Sequence, residues 1–213
     1  MAVLILRRLA GAAVVALLVS GCSNPNAHMI EALQRAEQGD LEAQLDVGAA
    51  YESGRYGVRP DAAESVYWYR KAAGQGDAEA QLYLGFAYEG GEGVKKDVAQ
   101  AAKWYRQSAN QGNSDSMERL SWLYLGLDGD GVSEDRVEAF KWFILEDIYH
   151  DEAAPPESQT GFELSRELFE EFEQGREEFR KIQEEILLEH ISPEEREEAD
   201  RLAREFFEAH PPE

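Results

Sequence analysis

The stretch AQLYLGFAYEGGEGVKKDVAQAAKWYRQSANQG, residues 80–112, decides the fold because its pattern occurs three times along the chain. The copies repeat every 36–38 residues, and a period of 20–50 residues is typical of repeats that stack to build a shared core. Each copy carries a Gly followed by Asp or Asn, then a Tyr, a Gly-Val pair, an Asp and a Trp. These positions are Gly39-Asp40, Tyr51, Gly57-Val58, Asp61 and Trp68; Gly76-Asp77, Tyr88, Gly93-Val94, Asp97 and Trp104; and Gly112-Asn113, Tyr124, Gly131-Val132, Asp135 and Trp142.

The intervals between these positions indicate a rigid frame with one variable loop. In every copy the first Asp or Asn lies 11 residues before the Tyr, and the second Asp lies seven residues before the Trp. All variation in length falls between the Tyr and the Gly-Val pair. Two packed helices joined by a turn would produce this pattern, so we expect each copy to be a helix pair.

The residues at the fixed positions are typical of helix ends. The first Gly of each copy suits the left-handed residue that closes a helix, and the Asp or Asn after it suits the N-cap of the next helix. The second Asp of each copy is followed three residues later by Glu64, Gln100 or Glu138, which predicts a capping box at the start of the second helix.

Small residues and repeated aromatic residues lie between the caps, and together they predict the core. Alanine and glycine let helices approach closely, and a helix pair can bury its apolar face only by stacking on its neighbours. We therefore expect the repeated Tyr and Trp positions to fill the space between units. The small residues are Ala43, Gly48, Ala72, Ala73, Ala80, Gly85, Ser108 and Ala109.

This pattern resembles the Sel-1-like repeat (SLR), a helix-turn-helix unit related to the tetratricopeptide repeat. The resemblance covers residues 30–150 and implies an all-α fold, an α-solenoid of about three units. In the third copy Glu146-Asp147 and His150-Asp151 depart from the pattern, and Pro155-Pro156 prevents a further helix from continuing the frame. The second copy fits best, at Ala80, Gly85, Tyr88, Gly93-Val94, Asp97, Ala101, Trp104-Tyr105, Ala109 and Gln111-Gly112.

The first residues predict export and lipid anchoring. Residues 1–21 carry Arg7-Arg8 and then the apolar stretch Leu9–Val19, which is typical of a signal peptide. The segment ends in Leu-Val-Ser-Gly-Cys, which resembles a bacterial lipobox with cleavage after Gly21 and acylation of Cys22, the single cysteine of the chain. An ordinary signal peptide with an incidental cysteine is the alternative. Residues 22–29 would form a linker, and Ser23 in place of Asp favours the outer membrane, facing the periplasm.

The C-terminal end is strongly acidic. Residues 151–213 hold 21 acidic and 7 basic residues, a net charge of −14 out of −22 for the chain. We expect a Pro-containing linker at 151–161 and an acidic helical region at 162–213, where Ser192-Pro193 marks a helix start. This region is predicted to cap the last apolar face of the solenoid, with a dedicated docking helix as the alternative.

Charge and composition also exclude several kinds of site. A net charge of −22 repels phosphate backbones, so we expect no nucleic-acid partner. The four histidines have no nucleophile or metal-ligand neighbours at helical spacing, which predicts no enzyme activity, no metal site and no cofactor besides the lipid on Cys22. The segment Asp128–Gly131 superficially resembles a calcium loop, but Val132 follows where an oxygen ligand is needed.

The predicted function is that of a protein–protein interaction adaptor, which holds its partner by shape. If the first helices line the concave side, as the resemblance implies, their remaining positions form one groove for a protein or peptide, with no small-molecule substrate expected. Some of these side chains would alternatively pack against neighbouring helices. Competing functions are an envelope enzyme or a regulator of a peptidoglycan-acting enzyme, and a cation-binding or spacer role for the acidic helices. The groove candidates are Asp46, Tyr83, Phe86, Glu89, Arg119 and Trp122.

Overall fold

The computed structural model describes residues 27–126, 135–153 and 180–211. Several predictions lie outside these residues: the signal peptide with Gly21, the lipidated Cys22, the segment Asp128–Gly131 and the C-terminal region before residue 180. Most of the Pro-containing linker at 151–161 also lies outside them. The statements below concern the described residues.

The regular structure of the described part of the chain is helical, which confirms the all-α prediction. Three helix pairs, α2–α3, α4–α5 and α6–α7, correspond to the three predicted units, and each helix from α1 to α7 packs on the next. The fold is an α-solenoid. The helices are α1 Ala27–Glu37, α2 Leu41–Ser53, α3 Ala62–Ala73, α4 Ala78–Gly90, α5 Val98–Ala109, α6 Ser114–Leu125, α7 Arg136–Ala153, α8 at 180–190 and α9 Pro193–Ala209, with a 3₁₀ turn at Arg55–Gly57.

The junctions between units form as predicted. Gly39 has φ +94°, and its counterparts in the second and third units have φ +96° and +86°, a conformation that favours glycine. Asp40 then caps α2 by accepting a hydrogen bond from the Ala43 N–H at 2.8 Å. Asp77 and Asn113 cap α4 and α6 in the same way. One residue therefore closes each unit and the next residue opens its neighbour.

The prediction of capping boxes at the second helices is wrong for one of the two bonds, the one in which the N-cap residue's own N–H donates to the Glu or Gln side chain. The Asp side chains do cap these helices; Asp61, for example, accepts from the Ala63 N–H at 3.0 Å. The cap's own N–H, however, donates to the carbonyl of the repeated Tyr in the first helix, at 2.9, 2.8 and 2.9 Å in the three units. This bond ties the two helices of a pair together across the variable loop. Both bonds of a capping box form only at Ser192 and Glu195 of α9 among the described helix starts.

Glycine positions in the first helices bring the paired helices into contact. An added Cβ on Gly48 would lie 2.8 Å from Cε1 of Tyr69, and one on Gly85 would overlap the Tyr105 ring. Both rings are buried, with 3% and 0% of their surface exposed. In the first two units the tyrosine of the second helix can therefore pack against the first helix because that helix has no side chain at this point.

The two ends of the solenoid differ from the sequence expectation in their bounds. Helix α1 begins at Ala27, inside the predicted linker 22–29, and Met29 is buried against α2. At the other end α7 continues to Ala153. Helices α8 and α9 both contribute to the core of the third unit, through the buried Leu187 and Ala203.

We expect Gly85→Ala to destabilise the protein by about 1–3 kcal/mol, because the new methyl group overpacks the Tyr105 ring. Gly48→Ala has a smaller effect, since its overlap with Tyr69 is less severe. Urea unfolding followed by circular dichroism measures both changes.

Gly90→Ala is the matched control, because its Cβ would meet only the flexible Glu92 side chain at 3.5 Å. Alanine at this helical position leaves stability unchanged or raises it by about 0.5–1 kcal/mol. Equal unfolding midpoints for Gly85→Ala and Gly90→Ala would contradict the role given to the Gly85–Tyr105 contact.

Candidate functional site

A cavity of about 490 Å³ opens between the N-terminal helices. Its walls come from α1, α2, α3, α4 and the 3₁₀ turn after α2. Two of the predicted groove residues, Asp46 and Tyr83, line this cavity, and Ala49 lies between them. Positions from the first helices of two neighbouring units therefore line one cavity, and their role in partner binding stays a prediction.

Two stacked tyrosines form part of the cavity wall. The Tyr69 and Tyr83 rings lie 4.6 Å apart and within 10° of parallel. Tyr69 reaches the cavity from the second helix α3, because Gly48 leaves room for its ring, and its hydroxyl donates to Glu52 at 2.9 Å. Tyr83 is half-buried. Sequence reasoning found Tyr83 but missed Tyr69, because only first-helix positions were considered.

The rim beside Asp46 holds a strained residue. Tyr56 has φ +56°, a left-handed conformation that is uncommon outside glycine. Its hydroxyl donates to the Asp46 carboxylate at 3.0 Å, and the Arg55 guanidinium lies 3.7 Å from the same carboxylate. Asp46 therefore helps to hold the 3₁₀ turn against α2. The Gly57 that follows Tyr56 marks a turn in the sequence, but no pattern there indicates a binding residue.

Three other predicted groove residues, Phe86, Glu89 and Arg119, lie together one unit further along the solenoid. Phe86 is 40% exposed, and its ring meets the Tyr105 ring edge-on, with centroids 5.7 Å apart. The Arg119 guanidinium lies 5.7 Å from the Phe86 centroid and forms an ion pair with Glu89. Glu89 also accepts a hydrogen bond from the Tyr105 hydroxyl at 2.5 Å. The structure therefore brings these three residues together, and their role in a binding groove stays a prediction.

Trp122 is placed differently. Its side chain is half-buried and packs against the core of the third unit. The hydroxyl–carboxylate pair of the first two units is also missing there, because Phe143 and Leu125 occupy the corresponding positions and both are buried. Trp122 therefore contributes to packing as well as to the concave surface.

Helix α8 contacts the third unit in the way that the first helix of a following unit would. Arg180 lies 5.6 Å from the Phe143 ring, at the place where Tyr83 stacks on Tyr69 in the first unit. Gln183 donates to the Ser121 hydroxyl at 3.2 Å in a buried contact. Helix α8 therefore covers part of the third unit.

The electrostatics of the site favour neutral phenols. Burial, and then the neighbouring Glu52 carboxylate, raises the pKa of Tyr69, and burial with Glu89 does the same to the pKa of Tyr105. Burial also raises the pKa of Tyr83, followed by the carboxylates of Glu79, Glu52 and Asp115. Carboxylates on three different helices therefore favour the neutral form of the Tyr83 phenol.

No group of three or more His, Cys, Asp or Glu side chains within 27–126, 135–153 and 180–211 is placed to hold a metal ion. In the same ranges no helix is long and apolar enough to cross a bilayer.

Comparison with known proteins identifies the helix pairs. Residues 41–77, 78–113 and 114–145 match the Sel1 repeat family. The chain contains three Sel1 repeats. The first two matches span the helix pairs α2–α3 and α4–α5, and the third spans α6 and the first part of α7. Sel1 repeat proteins typically bind protein partners.

Solved Sel1 repeat structures are similar to this chain. A Sel1 repeat protein from Oxalobacter formigenes is 33% identical over 57% of this chain and 49% of its own, with a TM-score of 0.52. The c5321 protein, a protective antigen of uropathogenic Escherichia coli strains with an SLR fold, is 25% identical over 84% of this chain and 40% of its own, also with a TM-score of 0.52. The match therefore spans less than half the length of either protein. No curated protein sequence matches the chain significantly.

We expect the folded state to lose stability as the pH rises above about 10. Tyr69 and Tyr105 have a higher pKa in the folded protein than the ordinary value of 10.0, so folding favours their protonated form. That stabilisation is fully present below pH 10 and decreases above it, by up to about 1.4 kcal/mol per pH unit for each phenol. Urea unfolding between pH 8 and 11 measures how steeply the free energy of unfolding falls with pH.

Tyr69→Phe and Tyr105→Phe each reduce this slope, because the ionising group is removed. Tyr67→Phe is the control, since the Tyr67 ring is 45% exposed on the same helix as Tyr69. An alkaline slope that stays the same in both buried-site variants would show that these phenols do not cause it.

Proposed function

We propose that this protein is an outer-membrane lipoprotein that faces the periplasm and acts as an adaptor, holding a protein or peptide on the concave surface of its Sel1 repeats. Sel1 repeat proteins generally mediate protein–protein interactions and are typically not catalytic. That this chain is not an enzyme stays a prediction.

The observation that carries the adaptor role is the aromatic cavity on the first two repeats. Tyr83 is half-buried there, and Phe86 is exposed one turn further along the same helix. Partly exposed aromatic side chains beside a concavity are typical anchors for a partner, because they supply large contact area at a low cost in conformational entropy.

The proposal for the anchor rests on the sequence alone. The single cysteine, Cys22, stands at the end of an apolar segment, directly after Gly21. Several acyl chains on one residue bind a membrane far more firmly than one chain, at about 0.8 kcal/mol per buried methylene group. Lipidation would place the repeats close to the inner face of the outer membrane.

We also propose that α8 and α9 cap the solenoid. The Phe206 ring of α9 meets the Trp142 ring edge-on, with centroids 5.4 Å apart, and the Tyr149 hydroxyl donates to the carbonyl of His210. These contacts support a cap over the last repeat, because they cover apolar surface that a fourth unit would otherwise cover.

Replacing Cys22 tests the anchor. In a Gram-negative host the parent protein is expected in the outer-membrane fraction and to incorporate labelled palmitate, whereas Cys22→Ala is soluble in the periplasm and unlabelled. Ser23→Ala is the control and keeps both properties. Equal labelling of the parent and Cys22→Ala would overturn the lipidation proposal.

Photo-crosslinking in living cells tests the groove. A photoreactive amino acid at position 83, and a second at position 122, is expected to capture the same protein, identified by mass spectrometry. Lys103, exposed on the second helix α5, is the control position and should not capture it. Capture from position 103 alone would move the binding surface away from the first helices.

A further inference from the structure

Aromatic rings and carboxylates meet at three successive places along the concave side. The first is Tyr56 with Asp46, and the last is Phe86 with Glu89. Between them lie the stacked rings of Tyr69 and Tyr83 with their surrounding carboxylates. We call the place at Tyr56 the rim site, the place at Tyr69 and Tyr83 the middle site, and the place at Phe86 the far site.

The rim and far sites each hold a guanidinium of the chain itself. At the rim site Arg55 lies 5.8 Å from the Tyr56 ring centroid and 3.7 Å from the Asp46 carboxylate. At the far site Arg119 lies 5.7 Å from the Phe86 centroid and is paired with Glu89. A cation near an aromatic ring with a carboxylate beside it is stabilised by both groups. This surface thus already binds basic side chains twice, from within the chain.

The middle site has the same groups and faces the cavity. Among the residues that the structure describes, no lysine or arginine lies over the Tyr69 or Tyr83 ring. Two carboxylates lie beside these rings: Glu52 accepts the hydrogen bond of the Tyr69 hydroxyl, and Glu79 lines the cavity together with Tyr69 and Tyr83. The cavity of about 490 Å³ leaves room for a side chain to enter. Arg35 and Arg55 also line it, but their guanidinium groups are paired with carboxylates of α2, its N-cap and the rim site.

We propose that the middle site binds a lysine or arginine side chain from an exposed segment of a partner protein. The inference rests on the proposed adaptor function and specifies the chemistry of its partner. The aliphatic stem of such a side chain packs on the tyrosine rings while its charge meets the carboxylates. The exposed Phe86 ring beyond the cavity then contacts the residues that flank the basic one, which favours a polypeptide over a free cation.

A fluorescent peptide, Gly-Ser-Lys-Gly-Ser-Lys-Gly-Ser with blocked termini, serves as the probe. Fluorescence anisotropy with the full chain in a non-ionic detergent measures its binding. We expect the lysine peptide to bind, and the same peptide with acetyl-lysine or with Glu at both lysine positions not to bind. Binding of the Glu peptide at equal strength would overturn the proposal, and so would tighter binding of free spermidine.

Substitutions separate the middle site from the general negative charge of the chain. Glu79→Gln and Tyr83→Leu are each expected to weaken lysine-peptide binding about two- to fivefold. Glu79 is exposed, so its substitution tests the site without disturbing the core. Glu184→Gln is the matched control, because it removes the same charge from an exposed position on α8. Equal weakening by Glu79→Gln and Glu184→Gln would mean attraction by net charge alone, which would overturn the proposal.

The two proposals fail in different ways. If a partner is crosslinked at position 83 but the lysine peptide does not bind, the groove stands and the basic side chain is wrong. If neither the crosslink at positions 83 and 122 nor peptide binding is observed, the adaptor groove itself is wrong.

Discussion

The concave surface depends on one contact, a tyrosine ring from the second helix lying against a glycine of the first. At Gly48 and Gly85 the missing side chain lets the rings of Tyr69 and Tyr105 pass between the helices. Each hydroxyl then donates to a glutamate one turn after the glycine. A buried hydroxyl without an acceptor costs about 1–3 kcal/mol, so the glycine, the tyrosine and the glutamate work as a set.

In the third unit all three residues of this set are replaced together. Ser121 stands in the glycine position, Phe143 replaces the tyrosine and Leu125 replaces the glutamate. Phe143 has no hydroxyl to satisfy, and Leu125 offers no acceptor. The Ser121 hydroxyl instead accepts from Gln183 of α8. The unit that meets the terminal helices is therefore apolar where the other two are polar, and its surface is used for internal packing.

Local signals in the sequence predicted the frame of this fold, and long-range contacts account for what they missed. The caps at Asp40 and Asp61 are local, since a side chain meets an N–H two or three residues away, and they formed as expected. The bond from the Asp61 N–H to the Tyr51 carbonyl crosses a loop, so no pattern of neighbours indicates it. Tyr69 was missed in the groove for the same reason, because its position depends on a glycine in another helix. The left-handed conformation of Tyr56 has no signature in residue type.

The bond between the repeated Tyr carbonyl and the Asp N–H has a consequence for how such chains change length. It joins residues separated by 10, 9 and 11 positions in the three units, with nearly the same distance each time. The two helices of each pair are therefore held in register at the base of the loop, whatever the number of residues between them. Because doubling the length of a flexible loop costs only about 0.6 kcal/mol, insertions can accumulate in the second and third loops while the helix pairs keep their register. The first loop is different, because its residues Arg55 and Tyr56 line the cavity. Evolution, or an engineer adding an epitope, can use the second and third loops without redesigning the solenoid.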